Sequence, residues 1–154
     1  MTSTMRSPLL AAATTTFESL ALLLPSSELT PAEAAAPAMH AVRVAFTGPF
    51  RGALDVRVTA DVARSLAENM LGVNDADPAL VRDALGEVAN VVCGNLLPDI
   101  GGREAVFHLS APEPLDAATP SPTRCELVAS LGVDGGRADL ALLLDLATPL
   151  PVTT

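Results

Sequence analysis

Asp77–Pro98, DPALVRDALGEVANVVCGNLLP, reads as one helix with an apolar stripe on one side and a sparsely covered polar face on the other. Advancing about 100° per residue brings Val81, Leu85, Val88, Val92 and Leu96 within about 80° of one another. Opposite them, Asp83, Glu87 and Asn90 fall within about 60°. Gly86 and Gly94 flank that cluster, and each mid-helix glycine costs about 1 kcal/mol relative to alanine. Their expected use is to strip the rim around Glu87 and Asn90, so that another protein's backbone can come close. The ends are punctuated too. Asp77 is the N-cap, Pro78 follows where its missing N–H does no harm, and Pro98 with Gly101-Gly102 closes the element.

Outward from this helix, the preceding sequence alternates. Val42, Val44 and Phe46 alternate with Arg43 and Ala45, and Leu54, Val56 and Val58 with Asp55 and Arg57, about a turn at Gly48-Pro49 and Gly52. That is a hairpin with one buried face. A helix from Asp61 through Asn69 follows, stopped by Gly72, with Asn69 a helix-end residue. Beyond the central helix, Ala105–Ala111 reads as a strand and PEPLDAATPSP as a loop, since its prolines forbid a central strand. Cys125–Val133 and Arg137–Leu146 then pair about Asp134-Gly135-Gly136. The apolar arm Ala138–Leu146 must be covered on both faces or paired across a subunit boundary. Upstream, Phe17–Leu24 reads as a short helix stopped by Pro25, with residues 1–15 frayed. Residues 25–38 read as a Pro/Ala-rich loop with one helical turn at AEAAA.

Length and composition bound the function. A chain of 154 residues makes one domain with a real core, and its 49% apolar content is Ala, Leu and Val, with four Phe and neither Trp nor Tyr. A base-stacking surface needs aromatics, and a net charge of −9 repels nucleic acid and anionic membranes alike. No run approaches the ~20 apolar residues of a membrane span, and Glu18 interrupts any signal core. The two cysteines, Cys93 and Cys125, read as reduced core thiols, which with the rest places the chain in the cytoplasm.

Most chemistries lack residues here. His40 and His108 stand outside any metal spacing, no glycine-rich loop leads into a helix with a lysine, and no serine sits in a nucleophile elbow. What remains is the acid–amide face. An amide does not titrate, so Asn90 cannot act as a base, but it can hold a water in line with a phosphorus atom. Phosphoryl transfer suits that strategy, because its catalysis is mostly alignment and charge stabilisation. Glu87, one turn back, can pair with a lysine on a partner. Seen alone, an Asp, a Glu and an Asn on the outer side of a helix also fit a merely solvated face.

Asp83, Glu87 and Asn90 spell Asp-x-x-x-Glu-x-x-Asn, and DALGEVANVVCGN is similar to the signature helix of CheX-type phosphatases, relatives of CheC and FliY. The order of elements from Phe17 to Leu146 resembles that family as well, and the absence of a second Glu-x-x-Asn motif makes the CheX branch the nearer match. The resemblance implies an α/β (α+β) fold, a largely antiparallel sheet with the signature helix and its predecessor on one face, in a homodimer with an exchanged or continuous strand. It implies hydrolysis of the aspartyl phosphate on a CheY-like response regulator, ending chemotaxis or related two-component signalling. In that family the motif Asn, here Asn90, orients the attacking water. The motif Glu, here Glu87, contacts the receiver's lysine, and Asp83 supports the interface. No cofactor is expected on this chain, since Mg2+ belongs to the receiver. Two other readings stay open: a non-catalytic module that docks on a receiver or motor-switch protein, and a structural homodimer whose acid–amide face is only solvated.

Overall fold

The alternation of Val42, Val44 and Phe46 with Arg43 and Ala45 produces β1 (Ala38–Thr47), which turns back into β2 (Gly52–Thr59) as an antiparallel hairpin. The structure, a computed structural model, describes residues 2–26, 28–74, 77–118, 127–133 and 135–144, and side chains in the first helix from residue 8. The remaining strands are β3 (His108–Leu109), β4 (Glu113–Leu115), β5 (Leu127–Val133) and β6 (Gly136–Leu144). They form one antiparallel sheet in the order β3-β1-β2-β6-β5, with β4 also pairing β1 beside β3.

Period-2 alternation gives this sheet two unlike faces. The pairings Val42↔Val56, Val56↔Leu140 and Leu131↔Ala138 put fully or nearly fully buried apolar side chains on one side. The other side is polar. Asp55, itself wholly buried, accepts two hydrogen bonds from Arg43, Nε to Oδ1 at 2.6 Å and Nη2 to Oδ2 at 2.9 Å, with Arg57 Nη1 at 3.7 Å. Beside it Arg137 pairs with Asp139 at 2.9 Å, and Ser130 Oγ donates to the same carboxylate at 2.7 Å. A face of paired charges has no use for a covering helix, and the long helices all lie on the apolar side.

Those helices are α1 (Thr2–Ser19), α3 (Ala60–Leu66, continued by a π-helical turn Ala67–Leu71) and α4 (Pro78–Gly101). A five-residue helix, α2 (Pro31–Ala35), begins with a capping box in which Thr30 accepts from the Glu33 amide and Glu33 accepts from that of Thr30. Arg137 Nη1 then donates to the Glu33 and Ala34 carbonyls, at 2.7 and 2.9 Å, tying α2 to β6. This is the helical turn expected at AEAAA.

Several boundaries differ from the expectation, each for a physical reason. Residues 2–15 are helical rather than frayed, and the helix ends at Ser19 instead of running to Leu24. Leu9, Ala12, Ala13, Thr16 and Phe17 are buried, so small residues let α1 lie close against α4. Leu22 then takes φ 57°, a left-handed conformation no helix continues through. Thr59, not Asp61, is the N-cap of α3, and Asp61 sits in its first turn, 3.2 Å from Arg64. Gly72 stops the element at φ 68°, as expected. The strand expected over Ala105–Ala111 shrinks to two residues. A further short strand, β4, forms inside the expected loop, because Pro114 opposite Val42 lies at the sheet edge, where its missing N–H is tolerated.

The expected hairpin of Cys125–Val133 with Arg137–Leu146 is present as β5 and β6, while Cys125, Asp134 and residues 145–146 lie outside the described residues. The apolar arm is an inner strand between β2 and β5, which explains its composition without a subunit boundary. Among the described residues, no helix is long and apolar enough to cross a membrane.

Candidate functional site

The anchoring of α4 decides how firmly anything on its outer face is held. Asp77 Oδ1 accepts from the Ala79 amide at 3.4 Å, and Pro78 opens the helix. Val81, Leu85, Val88, Val92 and Leu96 are all buried, four of them completely, against α1, α3 and the sheet. The helix runs one turn past Pro98 to Gly101, and Gly102 is its C-cap, the close expected at Gly101-Gly102. Ile100 is partly buried against the core there, and the Phe107 ring lies where a Cβ on Gly101 would be, 2.7 Å away. Phe107 stacks edge-on with Phe46 and Phe50, centroids 5.9 and 5.1 Å apart, and this aromatic knot fixes the C-terminal end of α4 to the first hairpin.

On the opposite side Asp83 and Glu87 are exposed and Asn90 is half-buried. All three border a groove of about 370 Å³ between α4 and the β1–β4 edge, lined also by Ala79, Arg82, Gly86, Val42, Pro112 and Pro114. The structure therefore brings the three motif residues to one open feature. It separates the two glycines. Gly94 is exposed with nothing within 4 Å of where a Cβ would stand. Gly86 is buried: a Cβ there would lie 2.9 and 3.0 Å from Pro112 Cγ and Cβ. The bare surface at Gly86 thus serves a contact within this chain, seating the β3–β4 connection against the helix, whereas that at Gly94 serves nothing internal.

Arg82, Pro112 and Pro114 were not among the residues singled out from sequence. A signal for Arg82 existed, since Arg82, Gly86, Asn90 and Gly94 form one i, i+4 row. The prolines carried none, because only the β4 pairing folds them over the helix.

Nearby side chains have defined roles. Asn95 lies inside α4 and its Nδ2 donates to Thr16 Oγ1 at 3.3 Å, while Asn69 Nδ2 donates to the Ala21 carbonyl at 2.9 Å. These amides pin the end of α1 and are occupied in doing so. Burial pushes the Cys93 thiol up to about 12. His40 is held below its ordinary value of 6.5 by burial first and by the nearby Arg82 second. Among the described residues, no cluster of three or more His, Cys, Asp or Glu side chains is gathered as for a metal ion.

Residues 40–130, more than half of the chain, match the sequence profile of the family described as "Chemotaxis phosphatase CheX". The chain belongs to the CheX family. The fold agrees. A CheX from Desulfovibrio desulfuricans superposes with a TM-score of 0.71 at 21% identity, covering 92% of this chain and 99% of that one. A CheX from Vibrio vulnificus gives 0.73 at 18% identity, covering 92% and 96%. A Borrelia burgdorferi CheX, solved in complex with CheY, BeF3 and Mg2+, gives 0.66 at 17% identity, covering 90% and 96%. No curated protein matches the chain. The mixed helix and antiparallel-sheet fold expected from the sequence is therefore the fold of CheX proteins.

Proposed function

We propose that this CheX-family chain hydrolyses the aspartyl phosphate of a CheY-like response regulator, using Asn90 to position the attacking water. The observation that carries the reading is the placement of Glu87 and Asn90 along one open groove, on a helix whose other side is buried. The CheX neighbour solved with CheY, BeF3 and Mg2+ supports a receiver as the partner.

Asn90 has no proton to lose, so its part is geometric. Its carbonyl accepts from a water and its amide donates, turning a lone pair of that water toward phosphorus. The water oxygen forms the new P–O bond. The bond to the receiver's aspartyl oxygen breaks with its electron pair, and the water's proton passes to a phosphate oxygen. Alignment of this kind supplies up to ~7–11 kcal/mol in the best intramolecular cases, and an aspartyl phosphate is a reactive anhydride already. Glu87 pairs with a lysine of the receiver and fixes the angle at which α4 enters. Asp83 supports the same interface. Gly94 lets the partner's backbone close over the row, and Gly86 keeps Pro112 seated beneath it. Mg2+ belongs to the receiver, and no residue of this chain is assigned to it. The proposal includes a homodimer, for which β5 offers an edge that pairs, on its outer side and among the described residues, only with Ser26 at Gly132.

The test is the decay rate of a phosphorylated CheY-like receiver from the same cell, with and without the protein, in excess Mg2+. Acceleration by the wild type that disappears in Asn90→Ala, with the melting temperature unchanged, is the expected result. Unchanged acceleration in that variant removes Asn90 from the site. Binding without acceleration by the wild type replaces the phosphatase with a docking module.

A further inference from the structure

Every partly buried arginine in the described residues except one has a carboxylate beside it. Arg43 and Arg57 share Asp55, at 2.6 and 3.7 Å, and Arg137 holds Asp139 at 2.9 Å. Arg82 is half-buried and, among the described residues, makes no ion pair. Helical geometry explains why. Its neighbours three and four positions away are Pro78, Ala79, Leu85 and Gly86, none of them acidic, while Asp83 and Glu87 project from the helix at other angles. Across the groove stand Val42, Pro112 and Pro114, whose side chains accept nothing. The nearby His40 is a group that is neutral or cationic, never anionic, and offers no counter-charge. A half-buried guanidinium that shares the groove with Asp83, Glu87 and Asn90 yet pairs with none of them among the described residues, on a chain of net charge −9, is thus left with donors to offer a partner.

We infer that Arg82 is a specificity-determining residue of the docking face, pairing with a carboxylate on the receiver's surface. The inference rests on the function proposed above and adds the second half of its recognition. Arg82 and Glu87 stand five helical positions apart, about 7.5 Å along the axis, so α4 presents a cation and an anion at a fixed interval. A receiver that offers an amine to Glu87 and a carboxylate at that spacing satisfies both. One that offers two amines meets an uncompensated like charge at Arg82. Arg82 stands about 12 Å along the axis from Asn90, at the edge of the interface and away from the phosphorus its water attacks.

Two readouts are needed, docking and turnover. Docking is measured as the affinity for a beryllofluoride-loaded CheY-like receiver, turnover as kcat and KM on the phosphorylated receiver. Arg82→Glu is expected to weaken docking and lower kcat/KM by about tenfold or more while kcat stays within about twofold, as for loss of one charge-assisted contact. Arg82→Lys retains most of both. Receiver carboxylates changed singly to lysine include one that restores docking to Arg82→Glu. Asn90→Ala is expected to leave docking intact, so the affinity arm reads Arg82 even if the wild type proves to have no turnover and the phosphatase reading falls. Unchanged docking in Arg82→Glu, a loss confined to kcat, or no rescuing receiver variant overturns the inference.

Discussion

Under the proposed function Gly94 sets stability against docking, and Gly94→Ala separates the two. The site is an exposed, helical position with nothing within 4 Å of a would-be Cβ, so alanine meets no obstacle in this chain. Removing a mid-helix glycine gains about 1 kcal/mol, most of it from the conformational freedom the unfolded chain no longer has to lose. Pro98, four residues on, has no N–H for the Gly94 carbonyl, so the gain comes from entropy and not from a better hydrogen bond. For a domain near this size 1 kcal/mol raises the melting temperature by about 2–4 °C. Docking moves the other way. Gly94 follows Asn90 by one turn in the same row, and a methyl group there occupies space that the partner's backbone is proposed to fill.

Gly86→Ala is the control. Its Cβ lies 2.9 Å from Pro112 Cγ, so the ring must move, and the helix-propensity gain is offset by overpacking that typically costs about 1–3 kcal/mol. The assays are thermal and urea unfolding, alongside receiver dephosphorylation. The expected pattern is a more stable Gly94→Ala with kcat/KM lowered about tenfold, and a Gly86→Ala no more stable than the wild type. A Gly94→Ala protein that is more stable and fully active refutes the reasoning, because the glycine would then answer to nothing at the interface. A destabilised Gly94→Ala refutes the open space itself.

Other groups give independent checks. The Cys93 thiol, pushed up to about 12 from 9.0 by burial, carries almost no thiolate at pH 8. Iodoacetamide should leave its peptide unmodified in the native protein and modify it in urea, as read by mass spectrometry; native labelling contradicts the packing of α4. His40 has its pKa lowered by burial and then by Arg82, so the unfolded state binds its proton more readily. Its contribution to stability is complete above about pH 6.5 and is lost as the pH falls below that value. Arg82→Gln should raise the His40 pKa part of the way back, measured by proton NMR titration, and an unmoved titration would separate the two side chains.

The fold was legible where period and punctuation agree. The β1–β2 hairpin and the apolar stripe of α4 are set by alternation and by helical spacing, and both fell where their residues said. Legibility failed where tertiary contact overrides local preference. The stretch TSTMRSPLLAAATTT has little helical pattern and a proline at position 8, yet it is helical, because Ala12, Ala13 and Thr16 allow α1 to approach α4 more closely than larger residues would. Pro114 argued against a strand, and only its place at the sheet edge makes β4 possible. The same limit governs the site. Asp83, Glu87 and Asn90 were readable because one helix carries them all, whereas Pro112 and Pro114 come from a distant segment that no spacing rule connects to α4.

That contrast gives the two glycines of α4 their meaning. On a helical wheel Gly86 and Gly94 look alike, two gaps around one polar cluster, and the sequence offers a single explanation for both. In the fold they face different surroundings. Gly86 is filled from inside by Pro112, which braces the helix beside Glu87; Gly94 is filled by nothing. A helix that gives up about 1 kcal/mol at Gly94 without an internal return, while its apolar stripe is buried to the last turn, is left bare where the proposed partner would close. An amide that works by holding a water in line needs that combination. The backbone beneath Asn90 must not move, and the surface beside it must leave room for the protein that carries the phosphorus.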